Sequence, residues 1–193
     1  MGKEFELKFR ADAETLGRIE ATLGGEFQAI RMRTFYYDTP GGDLSARKWT
    51  LRSRMENDKW ICTLKTPAGG LGRNEWETEC QDILTAVPIL AAESGYAELE
   101  ELAKQDLIAV CAAVFVRRCR MLELGSTKVE LALDQGVLLG GMKELPFAEA
   151  ELELKEGSEE TLLLFARKFQ GDFGLITEHA SKFARAKALA QEG

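Results

Sequence analysis

Glu4, Glu6 and Lys8 stand at every second position of Glu4-Phe5-Glu6-Leu7-Lys8, and Arg10 follows at the same spacing. Period-two alternation puts these charges on one face of a β-strand and Phe5, Leu7 and Phe9 on the other. At about 3.3 Å per residue, Glu4 and Glu6 lie about 7 Å apart, and Lys8 about 13 Å from Glu4. One strand can therefore offer carboxylate oxygens to a hard divalent cation at one depth and an ammonium to an anion at another.

The pattern recurs along the chain. Arg52 and Arg54 share a strand face, as do Thr63 and Lys65, and Arg73, Glu75 and Glu77 share another. Lys128, Glu130, Ala132 and Asp134 follow, then the series Glu149-x-Glu151-x-Glu153, which echoes Glu4-x-Glu6. Arg117 or its neighbour Arg118 adds a cation; the two point oppositely, and the sequence does not choose between them. A sheet with one solvated face gives such alternation by default. Two features argue instead for a wet, charged interior. The opposite faces carry Trp49, Leu51, Trp60, Cys62, Leu64, Trp76, Val129, Leu131 and Leu133, which helices could cover. The polar faces mix acids and bases in short ladders, as suits a closed barrel lined by charge. A polyphosphate calls for such a cavity, with Arg and Lys on several walls and carboxylates for magnesium or manganese. Burying so many charges unpaired would be costly, so the cavity is expected to stay hydrated or filled.

The elements that must position these residues follow from periodicity and turn chemistry. A strand is predicted over 3–10, and Asp12 caps a helix carrying Leu16, Ile19 and Leu23 that Gly24-Gly25 stops. Strands follow at 31–38, 47–55, 59–66 and 73–79, separated by Thr39-Pro40-Gly41-Gly42, Glu56-Asn57-Asp58 and Pro67-Ala68-Gly69-Gly70-Leu71-Gly72. The last of these lacks the G-K-[ST] ending of a phosphate loop and reads as a hairpin. Residues 82–110 read as helical with interruptions near Pro88 and Gly95, and strands return at 114–124, 127–134, 136–142 and 147–155. A helix from Ser158 to Phe169 stops at Gly171, and a last helix holds Lys182 to Leu189. The fold class expected is α+β, with a single domain over residues 1–193.

Composition narrows the function classes. The 193 residues are 45% hydrophobic and 30% charged, as in a soluble globular protein. No signal peptide or membrane span is read, so a cytoplasmic location and no membrane partner are expected. A net charge of -7 argues against a general nucleic-acid binder but not against a local basic pocket. Cys62, Cys80, Cys111 and Cys119 lie far apart without a C-x-x-C pair, so they read as small buried thiols rather than a zinc site or disulfides. His179 reads as a surface or capping residue, since no paired nucleophile accompanies it.

Taken together, the motifs resemble the CYTH superfamily, also called triphosphate tunnel metalloenzymes. Glu4-Phe5-Glu6-Leu7-Lys8 matches its E-x-E-x-K motif. Tyr36-Tyr37-Asp38-Thr39-Pro40, Leu51-Arg52-Ser53-Arg54, Thr63-Leu64-Lys65, Arg73-Asn74-Glu75, Glu130-Leu131-Ala132-Leu133-Asp134-Gln135-Gly136, Ala148-Glu149-Ala150-Glu151-Leu152-Glu153 and Ser181-Lys182-Phe183-Ala184-Arg185 follow in the family's order. The resemblance implies a closed eight-stranded antiparallel β tunnel, with helices packed on its outside, that hydrolyses or cyclises triphosphates with Mg2+ or Mn2+. It implies that Glu4, Glu6, Glu149, Glu151 and Glu153 hold the metal. It implies phosphate contacts from Lys8, Arg52, Arg54, Lys65, Arg73, Lys182 and Arg185, with Arg117 or Arg118 at one further position. Glu4, Glu6, Lys8, Lys65 and Lys182 would carry the catalysis, and Glu75, Glu77, Lys128, Glu130 and Asp134 would line the tunnel. The likeness is greatest to bacterial inorganic triphosphatases, which often carry an added helical CHAD domain; no such domain is expected within residues 1–193. The expected activity is hydrolysis of inorganic triphosphate to pyrophosphate and phosphate by a monomer or homodimer. Thiamine triphosphatase, class IV adenylate cyclase and a non-catalytic polyphosphate or nucleotide binder are the alternatives. Strand parity turns Trp49, Trp60 and Trp76 outward, which mildly favours the inorganic substrate, while Tyr36 or Tyr37 could still stack on a base.

Overall fold

The computed structural model describes residues 2–68 and 72–191. Gly69-Gly70-Leu71 of the predicted hairpin loop lie outside the described residues. In chain order the elements are β1 (Gly2–Glu4), β2 (Glu6–Arg10), α1 (Ala13–Leu23), β3 (Gln28–Asp38), α2 (Asp43–Ala46), β4 (Thr50–Glu56), β5 (Lys59–Pro67) and β6 (Arg73–Glu79). Then come α3 (Ile83–Ser94), α4 (Glu98–Ala103), β7 (Ile108–Leu124), β8 (Thr127–Gly140), β9 (Lys143–Glu156), α5 (Glu159–Phe173), β10 (Ile176–Thr177) and α6 (Lys182–Gln191). The predicted α+β class holds. All the strands join one antiparallel sheet, in the order β1-β6-β5-β4-β3-β7-β8-β9-β2-β10.

The predicted ring of eight strands is corrected to ten segments in open order. The opening strand is split: Glu4 pairs with Arg73 of β6, while Glu6 pairs with Glu153 of β9. Phe5 lies between them, buried in the core beneath α1 and α5, and its carbonyl accepts from Leu154 N–H at 2.9 Å. One short segment thus joins the two margins of the sheet, and the charged face of the strands is left concave.

Several predicted boundaries move for local reasons. The breaks at Pro88 and Gly171 do not occur, because α3 runs through the first and α5 through the second. Tertiary burial of Leu90 and Ala91 on α3, and of Phe169 and Phe173 on α5, outweighs the weak helix preference of one residue. The strands predicted at 127–134 and 136–142 are one strand, β8. Gly136 does not turn the chain there; it lets β8 approach β7, since a Cβ would fall 2.1 Å from the Val114 carbonyl oxygen. The strand predicted from 47 begins at Thr50, after the short α2, and β7 begins at Ile108 where helix was predicted.

Apolar residues gather in three clusters. Phe5, Phe9, Leu131, Leu133 and Leu152 pack against Leu16 and Ile19 of α1 and Leu162 and Phe169 of α5. Leu51, Leu64 and Trp76 pack against Ile83 and Leu90 of α3 and Leu99 of α4. Each fully buried leucine contributes about 1.5–3 kcal/mol. These two clusters place four helices on the outer faces, as expected.

The third cluster departs from that expectation. Tyr36, Phe115, Leu138 and Phe147 share strand faces with the charges and pack with Ala186 of α6. The last helix therefore sits against the inner face of the sheet. Gly140 permits this, because a Cβ there would stand 2.3 Å from the Ala186 carbonyl oxygen. Gly140→Ala should therefore push α6 off the sheet, costing about 1–3 kcal/mol in chemical denaturation. A midpoint equal to that of the parent protein would show that α6 can shift freely.

Candidate active site

The concave face encloses a cavity of about 680 Å3. It gathers Glu4, Glu6, Lys8, Arg52, Arg54, Lys65, Arg73, Glu75, Glu77, Arg117, Glu130, Glu151, Glu153 and Lys182 from the predicted site residues. All ten strands and the start of α6 contribute to these walls, so no local stretch of sequence forms the site alone.

On one wall, Lys65 donates to both Glu4 carboxylate oxygens at 2.7 and 2.6 Å and lies 3.1 Å from Glu75. Arg52 reaches Glu75 at 3.3 Å and Glu77 at 3.7 Å. Burial alone would depress the Arg52 guanidinium, but Glu75, Tyr36 and Glu77 hold it above its ordinary value. Its Nε is nonetheless buried with no hydrogen-bond partner among the described residues. Among the described residues Arg54 has only long contacts, to Thr34 Oγ1 at 3.3 Å and Glu56 at 3.4 Å. Burial and then the positive charges of Arg52 and Arg117 push Arg54 below its ordinary value. Arg73 donates to the Lys48 carbonyl at 3.1 Å and Thr50 Oγ1 at 3.3 Å, both neutral acceptors.

On the facing wall, Asp134, Glu149 and Glu151 form the one group of three carboxylates, among the described residues, whose oxygens lie within 4.8 Å of one another. Lys182 enters this group from α6, 2.7 Å from Asp134 and 2.9 Å from Glu151, and pairs also with Glu149. Arg117 contacts Asp134 through two nitrogens at 2.8 and 2.7 Å and also binds Glu151, while Arg185 pairs with Glu149. Burial pushes the Glu149 carboxyl up, against Lys182, whereas at Glu151 the cations Lys182, Arg117 and Lys8 overcome burial and hold the carboxyl well below its usual range. The triad could hold a hard cation by its oxygen chemistry, but three cationic side chains already balance its three charges.

A second acidic feature is more exposed than the triad. Glu6, Glu153 and Glu130 pair in register across β2, β9 and β8. Like charges directly opposite one another are destabilising. Burial, with Glu4 and Glu130 nearby, raises the Glu153 carboxyl above its ordinary value. Lys155 bridges the row at 2.8 Å from Glu153 and 3.6 Å from Glu130, and Lys8 lies 2.9 Å from Glu6. The row offers hard oxygen ligands to the cavity, although its carboxylates do not converge within 4.8 Å as the buried triad does.

The predicted metal set is therefore divided rather than gathered. Glu4 is taken by Lys65, Glu6 and Glu153 belong to the row, and Glu149 and Glu151 join Asp134, which was read only as tunnel lining. Glu149, Asp134 and Arg185 do not line the cavity: the two acids are fully buried, and Arg185 reaches Glu149 from α6. The choice between the neighbouring arginines is settled. Arg117 faces the cavity, while Arg118 turns outward to Glu20 of α1 at 3.0 Å. Lys128 is corrected from tunnel lining: a register shift between Lys128 and Val129 ends the alternation, and Lys128 pairs with Glu156 at 2.8 Å. Arg118→Gln is expected to leave ligand binding within twofold, and Arg117→Gln to weaken tripolyphosphate binding by about tenfold or more, in calorimetry.

Sequence reasoning missed Lys155, which continues the period of Glu149, Glu151 and Glu153, and Glu56, which continues that of Arg52 and Arg54. It also missed Glu178 and Phe183, which arrive from a loop and from α6 with no periodic signal. His179 is exposed, as expected, and stands on the cavity rim. The cysteines are all free; burial pushes the Cys62 and Cys111 thiols up to about 12, so both stay protonated. No helix among the described residues is long and apolar enough to cross a membrane.

A CYTH domain model matches residues 2–186. An inorganic triphosphatase from Haemophilus influenzae is 30% identical over 171 residues, covering 86% of this chain and 48% of that protein. The chain thus spans about half the length of that curated relative. Among solved structures, HpAC1 from Hippeastrum, named for adenylyl cyclase and described as revealing a dominant triphosphatase activity, superposes with a TM-score of 0.69 at 20% identity. That match covers 100% of this chain and 96% of the other. PH1819 from Pyrococcus horikoshii OT3 gives a TM-score of 0.64 at 22% identity, covering 98% and 99%. Both structures support the fold.

Proposed function

Because the chain belongs to the CYTH domain family, we propose that it hydrolyses inorganic triphosphate to pyrophosphate and phosphate with a divalent cation. The observation that carries this reading is the crowding of Arg52, Arg54 and Arg117 in one cavity, where Arg54 is held below its ordinary value by burial and by the other two. A linear polyanion relieves that repulsion, and the orphaned Arg52 Nε supplies a further donor. The aromatic residues on the cavity wall, Tyr36 and Phe183, are occupied with each other at 5.1 Å between centroids, which disfavours stacking on an organic head group.

In this mechanism Lys8, Arg52, Arg54, Lys65 and Arg73 hold the phosphate oxygens along the cavity and offset the charge that develops on them. Glu6, Glu153 and Glu130, the carboxylates that face the cavity in one row, would supply oxygens to the cation. A cation held there supplies Lewis-acid polarisation of the terminal phosphoryl group and of the attacking water. Lys182 and Arg117 keep Glu151 ionised and fixed in the cavity wall.

The test is phosphate release from inorganic triphosphate, thiamine triphosphate and ATP, each with magnesium, with manganese and with a chelator. Inorganic triphosphate should turn over fastest, and the chelator should abolish turnover. Comparable rates on all three substrates would overturn a dedicated inorganic triphosphatase.

A further inference from the structure

A second cavity of about 330 Å3 adjoins the first and shares Thr50, Arg73, Ser181, Phe183 and Ala184 with it. Its charged lining is entirely cationic. Lys48, Arg73 and Lys187 contribute, and no carboxylate does, in a chain whose formal net charge is -7. The main cavity, by contrast, pairs nearly every cation with an acid.

Three further features mark this side cavity as built for an anion. Lys48 holds a left-handed backbone, φ 58°, which a side-chain-bearing residue seldom adopts, and its carbonyl accepts the Arg73 guanidinium. That contact fixes Arg73 at the junction of the two cavities without neutralising it. The Lys48 ammonium is exposed and has no ion-pair partner among the described residues, whereas Lys187 is set by Asp38 at 3.2 Å and by Ser45. Finally, the first turn of α6, capped by Ser181 through Ala184 N–H at 3.1 Å, lines both cavities, and the start of a helix favours negative charge.

We propose that the side cavity is an anion subsite that takes the distal phosphates of linear polyphosphates longer than triphosphate. This rests on the triphosphatase reading and extends it: a chain whose first three phosphates fill the main cavity leaves past Arg73 and meets Lys48 and Lys187. Lys48 is then a chain-length determinant and takes no part in the bond cleavage.

Calorimetry without metal, where no turnover occurs, tests this with inorganic tripolyphosphate and tetrapolyphosphate as probes. The parent protein should bind tetrapolyphosphate about tenfold more tightly than tripolyphosphate. Lys48→Gln should remove most of that advantage and leave tripolyphosphate affinity unchanged. Lys48→Gly, which accepts the same backbone conformation without strain, should behave like Lys48→Gln and so exclude a backbone origin. If both anions bind the parent equally, or if the two variants weaken both anions alike, the subsite is refuted while the triphosphatase reading stands. If tripolyphosphate itself does not bind, both fall.

Discussion

Lys182→Met should lower the melting temperature by about 10 °C and cut turnover at least ~100-fold. Methionine keeps much of the side-chain volume, so the loss would come from charge. The Lys182 ammonium lies against Asp134, Glu149 and Glu151 and over the rings of Phe115 and Phe147 at 5.1 and 5.5 Å. Without it, three buried carboxylates face only Arg117 and Arg185 in the group, and removing one partner of a buried ion network costs about 3–5 kcal/mol. The pH dependence follows from Glu151, whose carboxyl sits well below its ordinary value in the folded protein. Its contribution is present above the unfolded carboxylate value and is lost as the pH falls through the folded one. The difference between parent and variant should therefore be widest near neutral pH and narrow below about pH 4. Differential scanning fluorimetry across pH measures this; a constant difference at every pH would show that packing and not charge is responsible.

Glu6→Gln should behave differently, abolishing turnover while changing the melting temperature by no more than about 2 °C. Glu6 is 26% exposed at its side chain and, among the described residues, forms an ion pair only with Lys8, so the isosteric amide disturbs little. It does remove one negative charge from the row that pairs Glu6 with Glu153 and Glu130. A drop of at least ~100-fold in phosphate release is expected, with weaker manganese binding in calorimetry. Unchanged turnover would remove Glu6 from the catalytic set. The contrast between the two variants separates a residue that holds the wall together from one that acts at its surface.

Much of this was legible in the linear chain. Period-two alternation reports which face of a strand a residue occupies, so the inward set from Glu4 to Glu153 could be named before any contact was known. Turn residues bounded most strands, and Asp12 capped α1 as expected, accepting from Thr15 N–H at 2.7 Å. Where the reading failed, the cause was a contact distant in sequence. Gly136 looks like a turn until β7 is placed against it, and Gly171 looks like a stop until Phe169 and Phe173 are buried.

The sequence by itself therefore determined which charged residues share a strand face, because the alternation of acids and bases is local and survives in any sheet built from these strands. Only the tertiary structure decided the partners. Electrostatic pairing depends on distances of a few ångströms across strands far apart in the chain, so no spacing could tell that Lys65 takes Glu4, that Arg117 and not Arg118 turns inward, or that α6 enters the concave face to put Lys182 among three carboxylates.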